Sequence, residues 1–464
     1  MLVFQDRGAR LCDGLTRRDV MHVGGLGALG LGLPHLLAGT ARGGERPAGT
    51  AKSCIILFLM GGVPQHSTFD PKPEAPAEVR GNFAPIATSV PGMHLASTLP
   101  GLAQRAHQLA VLRAVSTGDN AHSSSGYYML TGVPHAPQNV ENANPGAPND
   151  WPFLGSLVQH ASPPGGDLPA CVRLPHRIFN TDNSVWPGQD AGFLGRTADP
   201  WLFRCEPAAP NFQIPEFTLP VEISTERLVR RGSLLEGVNR RFSEVERAGL
   251  AGRYNSLSER AFNLLASERS RSAFRLDMES PETRARYGNG QFGQSTLLAR
   301  RLVEAGVRLV QVNWYRGADE PPDAPCWDSH ARETQRLKDV LCPPTDQAFS
   351  TLLDDLTERG LLDETLVVCL TEFGRSPRIN ALGGRDHWGS VFSVALAGGG
   401  IRGGVVHGAS DEIGGFVKSG LVRPEDLTAT ILDRLGLPPE TEYHDPQGRP
   451  LPLSRGRILN EILV

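Results

Sequence analysis

The chain has 464 residues, a net charge of −4 and 40% hydrophobic residues, while Gly (52) and Pro (37) make up roughly a fifth of it against roughly 12% in average usage. That apolar fraction excludes a disordered chain, no G-X-Y period marks a collagen, and no basic block offers the footprint of a nucleic-acid partner. The remaining reading is a globular α/β protein whose turn-rich loops are ordered and carry the site.

The N-terminus is read first. Thr16-Arg17-Arg18-Asp19-Val20-Met21 precedes a Gly-rich apolar run, Val23–Leu33, and then Ala38-Gly39-Thr40-Ala41. This is the order of a signal peptide, and the adjacent arginines resemble a twin-arginine (Tat) signal. Residues 1–41 are therefore expected to direct export to the periplasm or beyond. No permanent membrane span is expected once they are removed. The plainer reading is an uncleaved anchor or a buried helix. The twin-arginine route implies a protein exported already folded, often with its metal loaded. Cysteines stand at 12, 54, 171, 205, 326, 342 and 369. They form no Cys-x-x-Cys pair, which argues against a zinc ribbon or a thioredoxin motif. Their spacing leaves a disulfide among the later ones open.

Along the body, Ser53–Met60 is a continuous apolar run closed by Gly61-Gly62, which predicts a buried parallel strand. Leu99–Gln108 predicts a helix and Leu109–Val115 a second strand. Residues 136 to 220 are rich in Pro, Asn and Asp, and 224 to 287 are charged and helix-prone. The span of about 136–287 is expected as an insertion or cap on a domain covering 52–464. Gln294–Ala305 predicts a helix and Val307–Val312 a strand. In the predicted helix Gln347–Arg359, Phe349, Leu352, Leu353 and Leu356 share one face and Gly360 is the stop. Thr365–Leu370 and Val391–Leu396 complete the predicted strands, and a helix follows at Leu427–Leu437. Strands alternating with helices predict a mostly parallel central sheet flanked by helices on both faces. Ligands then bind at the C-terminal strand ends.

Four segments at such ends hold the candidate chemistry. After the first strand come His66 and Asp70, an imidazole and a carboxylate suited to zinc or another divalent metal. The plainer reading is a turn capped by Asp70. After the strand at 109–115 comes Asp119-Asn120-Ala121-His122-Ser123, a polar cluster opening a helix whose free N–H groups favour an anion. The plainer reading is an N-cap by Asn120 or Ser123. Asp328 and His330 are a third candidate pair, with an N-cap Asp328 as the alternative. The fourth segment is Thr371-Glu372-Phe373-Gly374-Arg375, followed by Gly384-Arg385-Asp386-His387-Trp388. Glu372 ends a buried strand, so its carboxylate needs a metal, an arginine or several donors. Arg375 and Arg385 are read either as its partners or as a clamp on an oxyanion.

These segments, with Phe69-Asp70-Pro71-Lys72-Pro73 and Arg80-Gly81-Asn82-Phe83-Ala84-Pro85, resemble the DUF1501 family of exported bacterial proteins. The resemblance implies a three-layer fold like the alkaline phosphatase and sulfatase superfamily. Sulfatases have their nucleophile ten residues before the Gly of a closing Leu-Thr-Gly. Here Leu130-Thr131-Gly132 closes the segment and His122 stands at that place, with Ser123 one residue off. Superfamily enzymes carry Asp-His where this chain has Glu372-Phe373, so His387 is read as the supply of the missing imidazole. The resemblance implies a metal-dependent hydrolase of sulfate or phosphate esters, acting on an anionic ester or a sulfated glycan. Its metal is zinc, calcium or magnesium, held among His66, Asp70, Asp328, His330, Glu372 and His387. His122, Ser123, Arg375 and Arg385 form its catalytic set. The alternative is a non-catalytic binding protein on the same scaffold.

Overall fold

The computed structural model describes residues 49, 51–162, 168–180, 182–210, 212, 227, 230, 231, 234, 267–314 and 320–464. The leader expected at 1–41 lies outside them, as does most of 213–266. Eight strands form the main sheet: β1 (Ser53–Phe58), β2 (Leu109–Val115), β3 (Cys171–Leu174), β4 (Trp201–Leu202), β5 (Leu309–Asn313), β6 (Thr365–Leu370), β7 (Phe392–Ala397) and β8 (Val405–His407). Their spatial order is β8-β2-β7-β6-β1-β5-β3-β4. Every pairing is parallel except the two made by β7. β7 runs the other way because the chain returns from β6 through a loop carrying a small hairpin, not through a crossover helix.

The central strands are buried on both faces, with β1 and β6 buried at every residue, while the edge strands β4 and β8 are only partly buried. On one face, Ile56, Phe58 and Leu370 pack towards α1 (His122–Thr131), α2 (Leu154–Ala161) and α5 (Pro424–Arg434). α3 (Gln291–Glu304) packs on β1 and β5 and against α4 (Cys342–Glu358). In α4 the predicted stripe Phe349, Leu352, Leu353 and Leu356 is fully buried, and Gly360 follows it with a positive φ of 67°. The result is the expected three-layer α/β architecture. No described helix is long and apolar enough to cross a membrane.

The stretch expected as an insertion contributes to the sheet itself, through β3 and β4. Arg173 hides β3 from a reading by apolar runs. Its guanidinium is buried, donates to the Gln189 carbonyl and lies 5.0 Å over the Phe153 ring. All six described cysteines are buried, and no disulfide forms among the described residues.

Candidate metal and active site

The site is assembled from chain segments that leave the C-terminal ends of β1, β2 and β6, together with the loop around Asp328. At the end of β1 the chain turns through Gly61 and Gly62, with φ of 121° and 92°. A Cβ on Gly61 would lie 2.4 Å from the Asp328 backbone nitrogen. Only glycine permits both the turn and this approach. Gly61→Ala is expected to destabilise the protein by about 3 kcal/mol or more. It should also push the Asp328 loop out of the site. Thermal melting and metal content measured together check both effects.

Glu372 follows β6 and is fully buried. Its Oε1 accepts from the Gly61 N–H at 2.8 Å and meets His122 Nδ1 at 2.7 Å, while Oε2 accepts from the Thr371 hydroxyl at 3.1 Å. All of these partners are internal, so Glu372 orients His122 and is not turned out as a metal ligand. Neither arginine pairs with it. His122 opens α1 at the end of the β2 connection, and its main-chain N–H donates to Glu141 Oε1 at 2.8 Å. The N-cap position is Ala121, whose side chain makes no capping bond, so the N-cap readings of Asn120 and Ser123 do not apply. The His122 ring lies between Phe373 (centroids 4.8 Å apart) and Trp186 (5.8 Å), and its Nε2 is 3.3 Å from Asp328 Oδ2.

Asp328 is the hub. Its Oδ1 meets His387 Nε2 at 3.0 Å and His330 Nε2 at 3.0 Å, and the two imidazole nitrogens are 2.9 Å apart. Arg375 donates to the same oxygen. A two-stranded hairpin places His387 opposite Arg375, which sets both beside Asp328. Phe373 packs against the His387 ring, with the two ring centroids 4.5 Å apart.

The charges follow from this packing. Burial alone would raise the Asp328 carboxyl, but Arg375 and His122 hold it well below the usual carboxylate range. Burial alone would lower the His122 imidazole, but Asp328 and Glu372 outweigh it and hold it up at about 10. Burial pushes His387 down to about 4, against its bond to Asp328 and with His122 and Arg375 adding to the fall. His387 is therefore neutral at pH 7.

Its tautomer is also fixed. Nδ1 lies 2.7 Å from the Asn120 carbonyl, which can only accept, so Nδ1 carries the hydrogen. Nε2 then presents a lone pair to a carboxylate oxygen 3.0 Å away. Two acceptors at that distance need positive charge between them. One hydrogen on His330 Nε2 can serve only one of them. Adjacent ligands of a divalent ion at roughly 2.1 Å stand roughly 3 Å apart. The triangle Asp328 Oδ1, His330 Nε2 and His387 Nε2 has that spacing. Among the described residues, His122, Asp328 and His387 also form a group able to hold a metal. His122 has Nδ1 committed to Glu372, so it offers only Nε2.

A cavity of about 230 Å³ opens on this cluster. It is lined by His122, Asp328 and His387 and walled by Glu141, Asn180 and Trp186, among others. Burial raises the Glu141 carboxyl above its ordinary value, with His122 opposing. Glu141, Asn180 and Trp186 escaped the sequence reading because they come from the Pro- and Asn-rich stretch, which carries no periodic signal. The expectation that this stretch covers the site was the only pointer to them.

The other candidates lie elsewhere. His66 is fully buried, bonded through Nε2 to the Ile413 carbonyl at 2.7 Å, and pushed down to about 3 by burial, with Arg385 adding to it. Asp70 accepts from the Ser410 hydroxyl and pairs with Lys72 at 3.1 Å and Arg113 at 3.5 Å. Neither joins the cluster, because the short helix Gln65–Ser67 turns the chain towards other partners. Ser123 is buried and accepts from Asn180 Nδ2 at 3.0 Å, away from the cavity lining. Arg375 is spent on Asp328 and on the Gly61, Gly62 and Arg385 carbonyls. Arg385 is spent on Glu333 and on the Val79, Ser376 and Pro377 carbonyls. Both guanidiniums are fully buried, and neither is free to clamp a substrate oxyanion.

Residues 51–463 match the model of a family described as a protein of unknown function, DUF1501. No curated protein matches the sequence. Similar solved structures include a protein in the alkaline phosphatase superfamily from Vibrio parahaemolyticus. It is 12% identical, with 90% of this chain and 72% of that one covered and a TM-score of 0.37. The PsFucS1 sulfatase from a Pseudoalteromonas species is 13% identical, with 86% and 69% covered and a TM-score of 0.37. The phosphonate monoester hydrolase SpPMH from Silicibacter pomeroyi is 14% identical, with 89% and 76% covered and a TM-score of 0.37.

Proposed function

Starting from a chain that belongs to the DUF1501 family, we propose an exported, metal-dependent hydrolase of sulfate or phosphate esters, sulfated glycans included. Export follows the twin-arginine leader at 1–41 to the periplasm or the extracellular space. The observation that carries the reading is the lone-pair contact of His387 Nε2 with Asp328 Oδ1 at 3.0 Å, with His330 Nε2 beside both. Asp328, His330 and His387 hold the ion. Two imidazoles and one carboxylate suit zinc better than calcium or magnesium, which favour all-oxygen sets. A bound divalent ion supplies Lewis-acid polarisation of the ester oxygen.

The chain's own residues do the rest. Arg375 keeps Asp328 ionised, and the Asn120 carbonyl fixes the His387 tautomer. Glu372 fixes His122 with Nε2 towards the cavity side of Asp328. Trp186 walls the cavity and limits water. Metal analysis of the full-length protein, with turnover of para-nitrophenyl sulfate and phosphate, tests the reading. About one ion per chain is expected, with turnover lost to a chelator and restored by the ion. Absence of metal and of turnover with zinc, calcium and magnesium rejects it.

One observation favours a second reading. Ser123 and both arginines are turned inward, so the usual hydroxyl and oxyanion clamp do not reach the cavity. That suits a non-catalytic protein binding an anionic glycan or a protein partner. A His122→Ala variant that keeps metal and ligand binding, from a parent with no turnover to lose, would favour it.

A further inference from the structure

We infer that the cavity takes one ester-bearing ring without a second negative charge, the end sugar of a glycan, and that Glu141 at its mouth turns away more highly charged glycans. The inference rests on the hydrolase reading above. It goes beyond that reading in naming the part of the substrate that enters and the residue that selects it.

The first observation is size. A volume of about 230 Å³ is below the roughly 300–1,000 Å³ of pockets that enclose drug-sized ligands. It has room for an ester group and one ring. The inner wall is fixed. Trp186 is buried, donates through its indole N–H to Asn180 at 2.6 Å, and packs so closely on α1 that a Cβ on Gly126 would lie 2.4 Å from its ring. A sugar inside a chain carries neighbours on two sides, so a glycan can offer this cavity only an end.

The second observation is charge. No Arg or Lys is among the described lining residues. His122 spends both ring nitrogens on carboxylates, Glu372 and Asp328, and Arg375 and Arg385 are spent inside. An anionic group away from the ion therefore meets no cation in the lining and faces a carboxyl group at the mouth. Glu141 and Asn142 are the exposed residues that form this mouth. Glu141 Oε1 accepts the His122 main-chain N–H, while no donor reaches Oε2 among the described residues. Asn142 beside it adds an amide that can both donate and accept. Half-buried Phe179 adds an apolar wall. An acceptor, an amide and an apolar face suit an uncharged ring that bears hydroxyls. Building opposition to the wrong ligand into a site is a general route to selectivity.

The test titrates the full-length zinc-loaded protein by calorimetry with a methyl galactoside carrying one sulfate and with the same galactoside carrying two. Galactose trisaccharides sulfated once, on the end sugar or on the middle sugar, complete the set. Turnover of para-nitrophenyl sulfate and phosphate is followed beside it. The singly sulfated galactoside and the end-sulfated trisaccharide should bind. The doubly sulfated galactoside should bind at least about tenfold more weakly, and the middle-sulfated trisaccharide likewise. Glu141→Gln, which keeps an acceptor for the His122 N–H, should narrow the gap between one sulfate and two. Asn142→Lys, which brings a cation to the mouth, should close or reverse it. If either variant does not fold, the other and the parent's own order of binding still decide. Equal or tighter binding of the doubly sulfated galactoside or of the middle-sulfated trisaccharide overturns the inference, and turnover of a para-nitrophenyl ester then leaves the hydrolase reading standing. A gap unchanged in both variants removes Glu141 as the selecting residue and overturns the inference in the same way. No binding of the singly sulfated galactoside also overturns it. Absence of turnover rejects the hydrolase reading, while the order of binding still decides what the cavity admits.

Discussion

Asp328→Asn is expected to remove metal binding and lower stability at once. The carboxylate is the one negative group shared by the ligand triangle, and it faces three imidazoles and a guanidinium. An amide brings no charge, and its NH₂ end would point a donor at one of these groups. Metal affinity should fall by at least about 10²-fold, since a charged ligand is lost from a set of three. Arg375 would keep its carbonyl acceptors but lose its counter-charge while fully buried. Breaking such a pair from one side costs about 3–5 kcal/mol. The retained carbonyl bonds place this site at the lower end, about 3 kcal/mol. Calorimetric titration with zinc and urea unfolding in a chelator separate the two losses. Wild-type zinc affinity in the variant would remove Asp328 from the ligand set.

The fold was legible where burial is continuous. Leu109–Val115 and Thr365–Leu370 have the predicted bounds, because uninterrupted apolar runs closed by turns have few other solutions. Cys171–Leu174 was not legible. Its Arg173 is tolerated only through partners distant in sequence. Strand direction at Phe392–Ala397 depends on how the preceding loop returns, which apolar content does not encode.

In the site, strand ends marked Asp328, His330, Glu372 and His387 as candidates, and the structure brings these residues together. Their division of labour was not legible. Whether Glu372 faces a metal, an arginine or a histidine is decided by a residue 250 positions away. The arginines illustrate the same limit. In sequence, Arg375 and Arg385 read equally well as clamps or as props, and only burial shows that their donors are spent inside. His66 and Asp70 follow the correct strand, yet one short helical turn carries them to other partners.

The metal-free protein should be most stable near neutral pH, with losses on both sides traceable to two histidines. The ordinary imidazole pKa is about 6.5. His122 is held up at about 10, so the folded state binds this proton more tightly than the unfolded chain. That contribution is fully present below about pH 6.5 and is lost as pH rises towards 10. His387 is pushed down to about 4, so the unfolded chain binds that proton more tightly. Stability therefore also falls as pH drops from about 6.5 towards 4. The alkaline loss from His122 is on the order of 5 kcal/mol at most.

His122→Asn should flatten the alkaline side and leave the acid side in place. Urea unfolding in chelator at about pH 7 and about pH 9 reads the difference, because the two pH values straddle much of the transition. Saturating zinc should flatten the alkaline side of the parent as well. The ion neutralises Asp328, the first of the charges that favour a second proton on His122, so binding expels that proton and zinc affinity rises with pH. An alkaline loss that survives both the substitution and zinc would place its origin outside His122. The coupling of His122 to the ion through Asp328 would then be refuted, even if the ion still bound.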